Sequence, residues 1–230
     1  MMKRFFLGKF VHPQTPDAAR AKAVAFVSAC MRGTKASKAF YNETVGHGPR
    51  GDGFGFDFSV EVWLDEPPCD LDIPVAVKAA EASGIDPNLT RTVIAKEHII
   101  KTGNAAVKGT FLSKRRPDST VPEYLRYWRN EHATIIQAQK DFFAFVRRYV
   151  QNHFVHGTYW SIAGASISQE DAFDGAPQMW FDSADDIYAA FQTDGYLLHI
   201  KADEKILVKV GYSQSYISRE WPISLPDWTA

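Results

Sequence analysis

The sequence has few of the features that mark secreted, membrane-bound or nucleic-acid-binding proteins. Its 230 residues include only two cysteines, Cys30 and Cys69, and neither lies in a CxxC motif. We therefore predict buried free thiols in a reducing compartment rather than a disulfide framework. The 26 Lys and Arg nearly balance the 27 Asp and Glu, which leaves no basic field for nucleic acid. No apolar run approaches the roughly 18 residues of a membrane span. These absences predict a cytoplasmic protein with no nucleic-acid or membrane partner.

Two distant parts of the chain share sequence. FLGK at residues 6–9 corresponds to FLSK at residues 111–114, and VWLD at residues 62–65 corresponds to MWFD at residues 179–182. The spacing far exceeds the roughly 20–50 residues of solenoid repeats, so it indicates a duplicated domain. We predict a first half at residues 1–104 and a second half at residues 105–230, and only the second half has a row of histidines.

Apolar periodicity predicts the same order of elements in each half: strand, helix, strand, strand, helix, strand. This βαββαβ order is that of the ferredoxin-like unit. We predict an α+β fold in which two fused ferredoxin-like units close one barrel, with helices outside and a ligand cavity between the sheets. The glycine-rich residues 46–53 are predicted to form a loop over the barrel mouth. Residues 157–171 are an insertion that we expect to act as a lid or pocket wall.

The first candidate site residue lies on the helix predicted at about residues 122–140. Tyr124, Trp128 and His132 are four residues apart and therefore share one helix face with Leu125. This stripe is apolar apart from its histidine. By periodicity alone, a core histidine with satisfied hydrogen bonds is the simpler interpretation of His132.

A polar row on the strand predicted at residues 145–155 favours a functional interpretation. Tyr149, Gln151 and His153 alternate with Val150 and Asn152, so their side chains point to one face of the sheet. Burying three such groups without partners would cost roughly 1–3 kcal/mol each. We therefore predict that they line a pocket inside the barrel. The alternative is a solvent-facing row on an edge strand.

Three segments, in order, carry a family resemblance: EYLRYWRNEHA at residues 123–133, RRYVQNHFV at residues 147–155 and DGAPQMWFDS at residues 174–183. With them the second half resembles the EthD-domain family of the dimeric α+β barrel superfamily, and the first half resembles a diverged copy. The resemblance implies fused or paired barrels with an internal pocket. It also implies mixed functions, which include dehydratases and cyclases of polyketide-type aromatics, with cofactor-free oxygenases and haem-handling proteins in sister families. The positions that match the family motifs are His132, Tyr149, Gln151, Asn152, His153 and Trp180.

These residues together favour an enzyme. We expect a cofactor-independent lyase, dehydratase or isomerase that acts on a small, apolar, aromatic or polyketide-like carbonyl compound bound inside the barrel. His132 and His153 would be the general acid and base, and Tyr149 with Gln151 would hold the developing oxyanion. The expected substrate-binding residues are Gln151, Trp128, Trp180, Tyr124 and Phe181.

Other functions stay open at this point. One is a cofactor-free monooxygenase of phenolic substrates, and another is a non-catalytic ligand-binding or stress-response barrel. A metal set of His153 and His156 with Glu131 or His132 is disfavoured, since residues i and i+3 of a strand face opposite ways. The sequence also lacks a recognisable haem-ligand motif and a P-loop lysine, so we expect neither a metal nor a cofactor. A homodimer of the fused unit is compatible with the sequence.

Overall fold

A computed structural model describes residues 1–50, 55–68, 70–168, 170–209 and 211–224. The strands within these residues are β1 (Met2–Gly8), β2 (Ala36–His47), β3 (Phe58–Leu64), β4 (Arg91–Lys101), β5 (Val107–Leu112), β6 (Arg148–Phe154), β7 (Trp160–Ser161), β8 (Gly175–Phe181) and β9 (Gln214–Ile223). The helices are α1 (Pro16–Cys30), α2 (Ile73–Ala82), α3 (Val121–Tyr127), α4 (Ala133–Ala138), α5 (Lys140–Phe143), α6 (Ala184–Ala190) and α7 (Lys201–Leu207). Within this part of the chain, no helix is long and apolar enough to cross a membrane.

Two π-helical segments interrupt the helices of the second half. One, Trp128–His132, joins α3 to α4, and the other, Gly195–Ile200, leads into α7. Thr120 is the N-cap of the helix that α3, the first π-helical segment and α4 form together. Its side chain and backbone form a capping box with Glu123. Single π-helical turns inside α-helices occur frequently at functional sites. Both segments therefore identify the helical layer of the second half as a place to look for function.

The strands form a closed antiparallel barrel. Their hydrogen-bonded order is β1-β3-β2-β9-β5-β8-β6-β4, and β4 pairs back with β1. The short β7 extends this sheet beside the start of β4. The predicted α+β barrel built from two βαββαβ orders is thus confirmed, with β7 as an addition inside the predicted insertion. The division into domains at residues 104 and 105 stays a prediction.

The helices cover the outside of the barrel in two layers. In the first half, α1 and α2 pack on outward side chains such as Phe6, Val60 and Val62. In the second half, Phe142 and Phe191 of the helical layer pack on outward side chains of the sheet. Cys30 is a free, half-buried thiol, and Cys69 lies outside the described residues.

Apolar side chains fill one end of the barrel interior. Phe5 and Leu7 of the first half meet Leu112 and Phe154 of the second half there. Tyr159, from the predicted insertion, packs against Phe154 with ring centroids 6.3 Å apart. The insertion therefore acts as a wall at this end.

A charged network fills the middle of the barrel. Lys3 Nζ lies 2.5 Å from Glu61 Oε2, and Lys108 Nζ lies 2.7 Å from Glu61 Oε1. Gln178 Nε2 donates to the same Oε1 at 2.6 Å, and Lys108 also donates to Asn42 Oδ1 at 2.6 Å. All five side chains are completely buried. The predicted ligand cavity between the sheets is therefore wrong, because packed side chains and ion pairs occupy that space.

Candidate functional site

The polar row of β6 lies on the outer face of the barrel, beneath the helices. Gln151 Nε2 donates to the backbone carbonyl of Trp128 at 2.9 Å and to the Tyr149 hydroxyl at 3.0 Å. His153 Nε2 lies 3.1 Å from Gln151 Oε1. The prediction that these residues share a face is confirmed. The prediction that they face the barrel interior is wrong, because Asn152 takes that side and donates to Gln178 Oε1 at 2.9 Å.

The π-helical segment Trp128–His132 presents His132 to a carboxylate. His132 Nδ1 lies 2.5 Å from Asp203 Oδ2, and the Tyr127 hydroxyl donates to Asp203 Oδ1 at 2.5 Å. The π-helical segment starts at Trp128, and the backbone carbonyl of this residue accepts the hydrogen bond from Gln151. A side chain that inserts into the helical hydrogen-bond ladder is a recognised cause of such distortions. The strand therefore helps to position the helix that carries His132.

Burial and pairing set the charge state of the two groups. Burial lowers the pKa of His132, and the hydrogen bond to Asp203 offsets this only in part. Burial raises the pKa of Asp203, but hydrogen bonds from His132 and Tyr127 outweigh it and hold this pKa below its usual value. The pair is thus a neutral imidazole and a carboxylate at neutral pH. Since Nδ1–H donates to Asp203, Nε2 retains the lone pair and can accept a proton.

A cavity of about 20 Å³ lies beside His132, between the sheet and the helices. Its other lining residues include Phe111, Ile136, Phe142, Tyr149, Met179, Phe191 and Tyr196. This volume is enough for about one water molecule, whereas sites for small organic ligands measure roughly 300–1,000 Å³. The cavity as it stands is therefore too small for an organic ligand, and its walls are mainly apolar.

Arg50 reaches this cavity from the first half of the chain. Its backbone N–H donates to Ser215 Oγ at 3.0 Å, and its carbonyl accepts a hydrogen bond from the same hydroxyl. Its guanidinium carbon lies 5.3 Å from the ring centroid of Phe111 and 5.5 Å from that of Phe191, and the group is paired with Glu204. Arg50 belongs to the predicted glycine-rich loop, of which residues 51–53 lie outside the described residues.

An open pocket of about 340 Å³ adjoins the closed cavity. Arg50, Glu204, Phe191 and Tyr196 line both spaces. The outer pocket is also lined by Pro49, Gln192, Leu197, Lys201, Lys205 and Val208. The Arg50–Glu204 ion pair thus lies, with Phe191 and Tyr196, where the surface pocket and the cavity beside His132 meet.

Tyr149 lines the cavity, and its hydroxyl accepts hydrogen bonds from two side chains. Its oxygen accepts from the amide of Gln151 and from the side chain of Trp128. Burial raises the pKa of Tyr149 to about 12, so the hydroxyl keeps its proton. Both acceptor positions of the hydroxyl oxygen are therefore engaged. Nearby, the fully buried Tyr124 hydroxyl has no hydrogen-bond partner among the residues that the structure describes.

His153 lies outside the cavity, so the structure does not place it with His132. Its ring stacks on Trp128 with centroids 4.6 Å apart, and its centroid lies 4.4 Å from that of His98. Burial lowers the pKa of His153 to about 3 and that of His98 to about 4. His153 contacts Gln151 through Nε2, and Gln151 bonds Tyr149 in turn.

The predicted aromatic walls are divided between two faces of the sheet. Trp180 faces the barrel interior, as the predicted internal pocket required, but there its Nε1–H donates to Glu220 Oε2 at 2.6 Å and it does not line the cavity beside His132. Phe181 is completely buried in the core under the helices. Tyr124 and Trp128 pack on each other with ring centroids 5.6 Å apart, above the strand that carries Tyr149. None of these four aromatic residues lines the cavity beside His132, although Phe181 packs in the same cluster as its walls.

Several site residues were missed by sequence reasoning: Arg50, Tyr127, Asp203, Glu204 and Tyr196. Asp203 had a detectable signal, because it follows Ile200 by three residues and precedes Leu207 by four, on an apolar helix stripe. Arg50 had none, since a glycine-rich loop does not reveal its neighbours in space. No group of three His, Cys, Asp or Glu side chains suited to a metal ion occurs among the described residues.

Comparison with known proteins supports the fold and locates one family domain. Residues 116–209 match the EthD domain model. The crystal structure of an anthrone oxidase-like protein matches with a TM-score of 0.56 at 10% identity, over 100% of this chain and 95% of that one. A candidate monooxygenase from Lactobacillus acidophilus NCFM gives a TM-score of 0.48 at 7% identity, over 97% and 96% of the two chains.

A mutant chlorite dismutase from Candidatus Nitrospira defluvii gives a TM-score of 0.46 at 8% identity, over 94% of this chain and 90% of that one. No curated protein matches the chain. At these identities the likeness concerns the fold alone, and only the first of the three scores supports it. The chain has the architecture of the dimeric α+β barrel proteins, here closed within a single chain.

Proposed function

We propose that this chain, whose residues 116–209 form an EthD domain, is a cofactor-independent enzyme of the lyase, dehydratase or isomerase type. Its substrate is a small, mainly apolar, aromatic or polyketide-like carbonyl compound. The substrate binds between the sheet and the helices of the second half, not in the filled barrel interior. We propose a cytoplasmic location on composition alone.

In this mechanism His132 is the general base. Its Nε2 takes a proton from the carbon next to the substrate carbonyl, and the electron pair of the broken C–H bond moves to the carbonyl oxygen as an enolate. Tyr149 donates a hydrogen bond to that oxygen. The proton on Nε2 then returns to another carbon, which isomerises the substrate, or to a leaving hydroxyl, which departs as water.

The observation that carries this proposal is the hydrogen bond between His132 Nδ1 and Asp203 Oδ2 beside an apolar cavity. A carboxylate that accepts from one imidazole nitrogen orients the ring and stabilises the imidazolium that forms during proton transfer. Tyr127 holds the second oxygen of the carboxylate. These are the parts that a His base requires: a fixed tautomer, a fixed orientation and a counter-charge.

His153 takes a positioning role in this proposal. It contacts Gln151, and Gln151 bonds both the Tyr149 hydroxyl and the Trp128 carbonyl. His153 therefore acts on the substrate oxygen indirectly, through Gln151 and Trp128, which both contact the Tyr149 hydroxyl. General acid catalysis falls to His132 itself, which returns the proton it has taken.

A proton-exchange experiment tests the base directly. A panel of aromatic ketones and polyketide-type β-diketones is incubated with the protein in D2O, and NMR follows exchange at the carbon next to the carbonyl. We expect His132→Gln to slow this exchange by about 10²- to 10⁴-fold. The matched control is His199→Gln, which changes an exposed histidine of the same domain. Exchange by H132Q at the wild-type rate, or no exchange by the wild type, contradicts the proposal.

A cofactor-free monooxygenase is the second candidate. The same deprotonation by His132 would give an electron-rich carbanion or phenolate, which reacts directly with O2. The shared fold with an anthrone oxidase-like protein supports this alternative as an analogy only. An oxygen electrode separates the two: O2 consumption that matches product formation favours the monooxygenase, whereas turnover under anaerobic conditions favours the lyase or isomerase.

A further inference from the structure

Arg50 is an unusual residue to line a mainly apolar cavity. Its side chain is only 16% exposed and lies among Phe111, Phe191 and Tyr196, with its guanidinium carbon 5.9 Å from the ring centroid of the last. A buried guanidinium costs free energy unless acceptors satisfy its five N–H donors. Arg50 Nε is buried without a hydrogen-bond partner in the part of the chain that the structure describes. The site therefore has donor capacity that the protein itself does not use.

Glu204 occupies the position on Arg50 that an external carboxylate would take. It comes from α7, one residue after Asp203, and its other oxygen accepts a hydrogen bond from the Tyr196 hydroxyl at 3.3 Å. Arg50, in contrast, is held through its backbone by two hydrogen bonds with Ser215 on β9. Apart from the ion pair, the Glu204 carboxylate is held by the hydrogen bond from Tyr196.

Opening this ion pair would join the outer pocket to the cavity beside His132, because both of its residues line the two spaces. A guanidinium among aromatic rings is poorly solvated and binds a planar carboxylate through two parallel hydrogen bonds. The outer pocket also has a place for the displaced Glu204, since Lys201 and Lys205 of α7 line it. When the Arg50–Glu204 pair opens, Arg50 can pair with the carboxylate of the ligand and Glu204 can pair with one of these lysines.

We propose that the substrate is an aromatic carboxylic acid whose carboxylate replaces Glu204 on Arg50. The rings of Phe111, Phe191 and Tyr196 contact its aromatic part, and its reacting carbon faces His132. This inference rests on the function proposed above, and it names the substrate class of the same site. Glu204 then acts as an internal competitor that keeps the site closed until an anionic aromatic ligand arrives.

Calorimetric binding of matched acids and amides tests this proposal. The probes are benzoate, salicylate and 1-naphthoate, each compared with its neutral amide. We expect the wild type to bind at least one acid about 10- to 100-fold more tightly than its amide, as a charge-assisted bidentate pair allows. Arg50→Gln should abolish this preference, and Arg50→Lys should retain part of it. Glu204→Gln should tighten acid binding, because it removes the competitor.

The control is Arg147→Gln, which removes an exposed cation paired with Asp182 in the same domain. It should leave the preference for acids unchanged. Circular dichroism verifies that each variant is folded before it is titrated. The proposal is overturned if no acid binds the wild type better than its amide, or if E204Q weakens acid binding.

Binding and catalysis can fail separately in this design. If H132Q retains proton exchange while acids still bind better than amides, the proposed function fails and the carboxylate site stands. If H132Q loses exchange while acids and amides bind alike, only the carboxylate site fails. Titration of the acids into H132Q completes the test, since this variant keeps Arg50 and should keep the preference.

Discussion

His132 Nδ1 lies 2.5 Å from Asp203 Oδ2, although 71 residues separate the two along the chain. Both side chains are more than nine-tenths buried, at 6% and 7% exposure. A lone histidine on an apolar stripe would be a structural feature, whereas one oriented by a carboxylate beside a cavity has the parts of a general base. The predictions below follow from this contact and from the networks around it.

Replacement of Asp203 by Asn should impair the base without removing it. The Asp203 carboxylate raises the pKa of His132 against the effect of burial, so loss of the carboxylate should lower that pKa further. The imidazole proton is then no longer held on Nδ1. We expect the exchange rate to fall by about 10²-fold or more. The imidazole is active when neutral, so the acid limb of the wild-type pH profile should lie below about pH 6.5. In D203N it should move lower still.

Rates measured from pH 4 to 8 in deuterated buffers test this prediction. Asp185→Asn is the matched control, because Asp185 is exposed on α6 of the same domain. A D203N profile with an acid limb at higher pH than that of the wild type would contradict the assignment.

Replacement of Tyr149 by Phe should lower kcat with little effect on KM. The hydroxyl donates to an oxygen whose charge develops during the reaction, so the lost hydrogen bond matters most in the transition state. We expect kcat to fall about 10- to 100-fold. Tyr188→Phe, at a half-exposed tyrosine of α6, is the control. An equal rise in KM with kcat unchanged would instead assign Tyr149 to ground-state binding.

Replacement of Glu61 by Gln should destabilise the fold. Burial raises the pKa of Glu61, but Lys108 and Lys3 outweigh that effect and keep it well below its usual value, so the carboxylate is charged. Without it, two buried lysines lose their shared counter-charge, at a cost of about 3–5 kcal/mol in the free energy of unfolding. Urea denaturation measures this loss.

The exposed Arg126–Glu131 pair is the control, and Glu131→Gln should cost less than about 1 kcal/mol. An E61Q protein as stable as the wild type would show that the remaining partners, Glu97 of Lys3 and Glu220 of Lys108, suffice in the barrel interior.

The stability of the protein should fall as the pH falls below about 6.5. Burial lowers the pKa of His98 to about 4 and that of His153 to about 3, and Arg129 and Lys96 add positive charge nearby. The unfolded chain therefore binds protons on these histidines at pH values where the folded protein does not. The free energy of unfolding falls progressively between the pKa of a histidine in the unfolded chain and the lower pKa values of the folded protein. The loss is complete only below both folded pKa values.

Urea midpoints recorded between pH 4 and 7 test this dependence. His153→Gln should flatten the slope, whereas His199→Gln, at an exposed histidine, should leave it unchanged. A slope that H153Q leaves intact would assign the acid sensitivity to other groups.

Local pattern predicted the strand β6 and the shared face of Tyr149, Gln151 and His153, because alternation along a strand depends on backbone geometry alone. It did not identify which face meets the interior. In β3 every residue from Phe58 to Leu64 is buried, since helices cover one side of the barrel and packed side chains fill the other. With both faces buried, polarity along a strand no longer distinguishes inside from outside.

The sequence by itself determined the order of elements, the apolar helix stripe that carries His132 and the family resemblance of the second half. Only the tertiary structure brought Asp203 to His132 and Arg50 to the same cavity. The cause is barrel closure: β9 pairs with β2, so the residues that follow β2 run beside Ser215 and insert Arg50 under the helices of the other half. Such contacts depend on which strands become neighbours, and no local periodicity encodes that choice.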